Sequence, residues 1–252
     1  MAQDRASVRV DPVAPVKDAT ATPYVTYGLI AVNTVVFLAC IAQAGAGALS
    51  DRSEMWRSWL MREGVLITGY DGHWNDEYWR LLTSGFLHWS VIHIAVNMLS
   101  LYVVGRDLER FFGGARYLML YVTSLLGGSA VVTAVQHSDS LTAGASGAIY
   151  GLLGALLVVV LRLKLPVGTV AGVIVLNVVI SWSLPGISLW AHLGGLLFGA
   201  LGAVAMIWLP VAVLPAGQRT EAKVSRVGWA ALIALFVVAA AIGVGTGAVL
   251  SG

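Results

Sequence analysis

The chain reads as an all-α membrane protein, a polytopic bundle of seven apolar helices. Three observations predict it. Hydrophobic residues make up 58% of the 252 positions and charged residues only 11%, against about 25% charged in a soluble domain. Seven separate apolar stretches approach the roughly 20 residues that a helix needs to cross hydrocarbon. The 29 glycines suit helices that pack closely in lipid, where small residues let backbones approach.

The elements follow in order. Residues 1–23 are polar, with Pro12, Pro15 and Pro23 and charges of both signs, and read as a flexible cytosolic tail. The spans are expected at about 24–45, 90–106, 116–136, 142–162, 166–184, 188–209 and 227–249. The six spans within 24–209 form one core. Residues 210–226 read as a cytosolic linker, and 227–252 hold an additional C-terminal helix. Most connections are short. The exception is 46–89, which carries Trp56, Trp59, Trp74, Trp79 and Trp89. Amphipathic rings favour the headgroup layer, so this loop is expected to lie partly in the outer interface.

The positive-inside rule sets the orientation. With the N-terminus inside, the inner segments hold Arg5, Arg9, Lys17, Arg106, Arg110, Arg116, Arg162, Lys164, Arg219, Lys223 and Arg226. The outer ones hold only Arg52, Arg57, Arg62 and Arg80. The bundle is therefore expected to run N-in and C-out. Spans two, four and six then all start at the outer face. His93 and Asn97 fall in the first turns of span two, Ser146 in those of span four and His192 in those of span six. Parallel helices with a rise of about 1.5 Å per residue bring these groups to a similar depth.

Small residues surround the two central groups. Ser146 sits in Gly144-Ala145-Ser146-Gly147, and Gly147-xxx-Gly151 lets a neighbouring backbone approach span four. His192 precedes Gly195-xxx-Gly199 on one stripe of span six. If those faces meet, a serine and a histidine reach hydrogen-bond distance as nucleophile and base. The glycines of the serine collar are also expected to leave room for a substrate backbone. No Asp or Glu falls within a span, apart from Asp107 and Glu109 at the inner end of span two. The pair therefore reads as a dyad without a carboxylate, which is costly to bury in lipid.

Other classes fit less well. The net charge of +2 makes nucleic acid an unsuitable partner. The single cysteine, Cys40, excludes an intrachain disulfide. A coupled transporter carries ionisable groups within its spans, but no acidic residue lies within a span here apart from the inner end of span two, and no inverted repeat is seen. No metal or other cofactor is expected. His73, His88, His93, His137 and His192 form no His-Glu-xx-His pattern, and counting along a helix puts His88 and His93 on different faces.

The ordered set of residues over 79–209 resembles the rhomboid family of intramembrane serine proteases. It comprises Trp79-Arg80, His88, His93-xxx-Asn97, Gly105 to Arg116 with Glu109, Gly144-x-Ser146-Gly147 with Tyr150, and Ala191-His192-xx-Gly195-xxx-Gly199. The resemblance implies a six-span catalytic core in 24–209, with the seventh span an addition found in part of the family. It implies Ser146 as nucleophile and His192 as base. His93 and Asn97 match the side chains that help form an oxyanion hole, and Tyr150 matches the ring that packs on the base. Trp79-Arg80 and Glu109 match structural positions. The implied partners are the lipid bilayer and the transmembrane helices of substrate proteins, cut near the outer face. A non-proteolytic rhomboid-like binding or quality-control factor is the alternative. A bacterial inner membrane is the expected location.

Overall fold

The computed structural model describes residues 20–68, 77–136 and 140–250. Most of the expected tail (residues 1–19), Trp74 and His73 in the long loop, and His137 lie outside them. Seven apolar helices of 16–30 residues organise the bundle: α1 (Tyr24–Ala44), α2 (Val91–Phe112), α3 (Gly114–Val135), α4 (Ser146–Arg162), α5 (Gly168–Ser183), α6 (Leu189–Ile207) and α7 (Glu221–Leu250). Five of these are long and apolar enough to cross a membrane, while α4 and α5 are shorter. At the centre stand α3, α4 and α6, and α1, α2, α5 and α7 pack around them.

Helix ends differ from the expected ones for local reasons. The fourth span was expected from residue 142, but α4 starts only at Ser146. The preceding Ser140–Thr142 is a strand, β2, paired antiparallel with β1 (Leu66–Thr68). Gly144 has φ +135°, outside helical space and open chiefly to glycine. At about 26 Å by rise per residue, α4 falls short of the roughly 30 Å hydrocarbon core. Its missing first turn is replaced by backbone bonded to protein: β1 satisfies β2, and the Gly144 amide donates to the Ser84 carbonyl at 2.9 Å. Irregular backbone at membrane depth is tolerable only when satisfied in this way.

At the other end of the bundle α2 runs on to Phe112, past the expected 106. Glu109 is thereby drawn inside, and its carboxylate caps α1. It accepts from the Val25 amide at 2.9 Å, the Thr26 amide at 2.7 Å and the Thr26 hydroxyl at 2.7 Å. The first turn of a helix has amides without intrahelical partners, and Pro23 offers no side-chain cap. The segment read as a 210–226 linker is partly helical: Leu209–Val213 forms a short helix, and α7 begins at Glu221.

The long loop is a folded layer rather than a surface strap. Met55, Met61 and Val65 are fully buried and pack with Phe37 and Cys40 of α1 and Ile94 of α2. Arg80, 5% exposed, holds the loop from within. Its guanidinium meets the Glu77 carboxylate at 2.6 Å and donates to the Arg62 and Val65 carbonyls at 2.6 and 3.0 Å. Of the loop's described tryptophans, Trp56, Trp59 and Trp79 are exposed, whereas Trp89 is buried.

Candidate active site

The starts of α2, α4 and α6 line one cavity of about 1390 Å³. Two of the three helices begin with a serine cap. The Ser90 hydroxyl accepts from the His93 amide at 3.2 Å, and that of Ser188 accepts from the Ala191 amide at 3.3 Å. By contrast, α4 has no side-chain cap. Its first amides, at Ser146 and Gly147, are left without intrahelical partners beside the cavity.

Ser146 and His192, 46 residues apart, meet. The Ser146 Oγ lies 2.7 Å from His192 Nε2. Close packing of α4 and α6 brings this about. A Cβ on Gly195 would overlap the Gly147 carbonyl, and one on Gly199 would overlap the Gly151 carbonyl. The two small-residue stripes seen in the sequence are thus one shared contact. Tyr150 stacks on the imidazole, with ring centroids 3.8 Å apart and planes 14° from parallel.

His93 and Asn97 line the same cavity. The Asn97 side chain is buried, and its Nδ2 has no hydrogen-bond partner among the described residues. The Trp89 amide donates to His93 Nδ1 at 3.4 Å, so the neutral ring carries its proton on Nε2. That nitrogen and the Ser146 hydroxyl both lie within 4 Å of the point a Gly144 Cβ would occupy. A side chain at Gly144 would meet the His93 ring, whose Nε2 lies 2.8 Å from that point, and Gly144 itself lines the cavity. The expected separation of His88 and His93 does not hold. Helix α2 starts after Ser90, so His88 precedes it, and its ring lies edge-on to that of His93 at 5.0 Å.

One neighbour was not legible in the sequence. The hydroxyl of Ser181, near the end of α5, lies 2.7 Å from His192 Nδ1 and 3.1 Å from the Tyr150 hydroxyl. A serine in an apolar helix is commonplace, and only the turn through Gly186 (φ +84°), which folds α5 back beside α6, marks it out.

Comparison with known proteins follows this geometry. A Rhomboid domain model matches residues 75–209, more than half of the chain. Rhomboid protease GluP of Bacillus subtilis is 33% identical over 189 residues, covering 73% of this chain and 35% of that protein. Putative rhomboid protease YdcA of the same bacterium is 35% identical over 141 residues, covering 54% of this chain and 71% of that protein. RHOMBOID-like protein 1 of Arabidopsis thaliana is 38% identical over 155 residues, 59% of this chain and 39% of its own length. The chain thus spans well under half the length of GluP and of this plant relative. With a matched domain over most of the bundle and apolar helices throughout, the chain is an integral, polytopic helical membrane protein and belongs to the rhomboid family.

Proposed function

We propose that the protein is an intramembrane serine endopeptidase that cuts transmembrane segments of other proteins near the outer membrane face. The observation that carries this is the 2.7 Å contact between Ser146 Oγ and His192 Nε2 in a cavity shared with Asn97 and His93. The names of GluP and YdcA as rhomboid proteases support it.

The chemistry is acyl transfer. A serine hydroxyl is a weak nucleophile until a base takes its proton. Neutral His192 takes it through Nε2 as Ser146 attacks the scissile carbonyl, and returns it to the leaving amine. Water then hydrolyses the acyl-enzyme by the same route. The tetrahedral intermediate carries a negative oxygen, which the first amides of α4, Asn97 Nδ2 and His93 Nε2 stabilise. A donor held unpartnered in the cavity that holds the nucleophile, as Asn97 Nδ2 is, pays its desolvation before the reaction and gains its partner during it.

The bundle sits N-in and C-out, with α1 to α6 as the catalytic core, α7 as a seventh span and the cavity facing outward. Because α4 is short, Ser146 lies below the membrane surface, where the substrate's helix has to unwind locally to expose a peptide bond. A bacterial plasma membrane is the proposed location. The test uses purified protein in liposomes with a model transmembrane substrate. Ser146→Ala and His192→Ala are each expected to abolish cleavage and fluorophosphonate labelling. Cleavage that survives Ser146→Ala refutes the reading.

A further inference from the structure

We infer that Ser181 of α5 is a positioning residue that fixes the tautomer of His192. The inference rests on the Ser146–His192 reading above and goes beyond it by naming the group that stands where a third member of a triad would.

The argument is one of hydrogen-bond accounting. A serine hydroxyl has one proton to give and two lone pairs to fill. Ser181 Oγ has three partners within reach. It lies 2.7 Å from the Asn177 carbonyl oxygen, 2.7 Å from His192 Nδ1 and 3.1 Å from the Tyr150 hydroxyl. A carbonyl only accepts, so the Ser181 proton has to point at Asn177; otherwise two lone-pair oxygens would face each other at 2.7 Å. With its only proton committed, Ser181 Oγ can only accept from the other two. His192 Nδ1 therefore carries a proton and donates it, and the Tyr150 hydroxyl donates as well. A neutral imidazole has one ring proton. It is on Nδ1, and Nε2 is left bare, facing the Ser146 hydroxyl at 2.7 Å.

This is the tautomer a general base needs. The alternative, with the proton on Nε2, would present a donor to Ser146 and could not take its proton. During attack the Ser146 proton moves to Nε2, and the ring becomes an imidazolium with both nitrogens protonated. The Nδ1 proton stays on Nδ1 and still donates to Ser181. No proton passes to Ser181, because a neutral hydroxyl already holding its own has no basic site to receive it. Ser181 orients and does not relay. The role differs from that of Tyr150, whose ring holds the imidazole plane by stacking and leaves the tautomer free. The three sites are buried: Ser181 is 4% exposed, His192 5% and Tyr150 6%, so water does not readily replace the hydroxyl.

The size of the effect follows from the bond. Losing one neutral hydrogen bond is expected to move the tautomer ratio by roughly fivefold. Ser181→Ala is expected to slow fluorophosphonate labelling and kcat measurably, by at most about that factor, with KM unchanged. Ser181→Thr keeps a hydroxyl on the same helix position and is expected to restore the rate. Nitrogen-15 NMR of histidine-labelled protein, with the His192 signals assigned by difference from His192→Ala, reads the tautomer directly. In wild type at a pH where the ring is neutral, His192 is expected to show a protonated Nδ1 and a bare Nε2. In Ser181→Ala the other tautomer gains population, whereas Tyr150→Phe leaves Nδ1 protonated.

A wild-type His192 with its proton on Nε2 overturns the inference, as does a folded Ser181→Ala protein that labels at the wild-type rate. Those outcomes are separable from failure of the underlying reading. Cleavage by Ser146→Ala would remove the dyad while leaving the tautomer measurement to stand or fall by itself.

Discussion

Replacing Gly195 by alanine probes whether backbone contact between α4 and α6 sets the Ser146–His192 distance. A Cβ built on Gly195 overlaps the carbonyl of Gly147, the residue next to Ser146. Gly195 itself is three residues past His192. Real Cβ atoms essentially never come within 3.0 Å of a neighbouring atom, and here the obstacle is backbone, so no side chain can swing aside. The helices have to part by about 1 Å to remove the overlap. The Ser146–His192 contact of 2.7 Å then stretches beyond the ~3.2 Å at which hydrogen bonds fade. A displacement of about 1 Å costs on the order of 100-fold in rate.

Stability changes less, because two effects oppose each other. Alanine gains about 1 kcal/mol over glycine in helix propensity, and overpacking costs about 1–3 kcal/mol. The measurement is cleavage of a model membrane substrate in liposomes, with thermal unfolding in parallel. Two comparators make it sharp. A Cβ on Gly147 would meet the Ala191 carbonyl oxygen at 3.3 Å, which small adjustments absorb, and a Cβ on Gly28 of α1 meets nothing within 4 Å. The expected order of losses is Gly195→Ala far above Gly147→Ala, with Gly28→Ala at the wild-type rate. A folded Gly195→Ala protein that cuts normally refutes the reasoning, and so does an equal loss at Gly195 and Gly147.

Two further outcomes are expected. Asn97→Ala removes one donor to the oxyanion and is expected to lower kcat by about 100-fold with little change in KM; a rise in KM alone would mean that Asn97 binds substrate instead. Glu109→Ala strips three hydrogen bonds from the start of α1 and is expected to destabilise the fold by about 2–3 kcal/mol. Glu109→Gln should lose less because it keeps one acceptor. Thermal unfolding measures both, and the surviving folded enzyme should keep its rate, since Glu109 sits at the opposite end of α2 from His93 and Asn97.

Which features were legible in the sequence follows from the kind of signal each leaves. Helix number and class came through because apolar length and charge depletion are sums over many residues. Ser146, His192, His93 and Asn97 stood out because polar groups at matched positions in apolar helices are costly without a reason. Helix ends were harder. Thr142 to Ala145 are apolar enough to extend span four, and hydropathy cannot see that β1 pairs with β2 or that Gly144 adopts φ +135°. The spacing of His88 and His93 misled because a face count presumes helix, and the helix starts only after the Ser90 cap, past His88. Glu109 was legible as a polar residue at a helix end, but its work is done 83 residues away, on Thr26. Ser181 left little signal beyond the turn at Gly186 that follows its helix. Its importance is a distance to a residue on another helix.

On the proposed reading, stiffness and looseness are divided among the helices according to what each part requires. Nucleophile and base need a fixed separation, and they stand on α4 and α6, which touch backbone to backbone at Gly147–Gly195 and Gly151–Gly199. Side-chain rotamers cannot soften such a contact. The hydroxyl that selects the tautomer stands instead on α5, which packs chiefly against α4 and α6 and buries only Ile174 and Ser181. The rest of α5 contributes Thr169, Val170, Val173, Asn177 and Ile180 to the cavity wall. A shift of α5 therefore leaves the Ser146–His192 distance alone but breaks the 2.7 Å contact at Nδ1, because that contact has one end on each helix. The base then loses its tautomer preference before it loses its place. Catalytic readiness is in this way tied to the position of the least packed wall of the cavity, through a single neutral hydrogen bond whose loss costs at most about fivefold rather than everything.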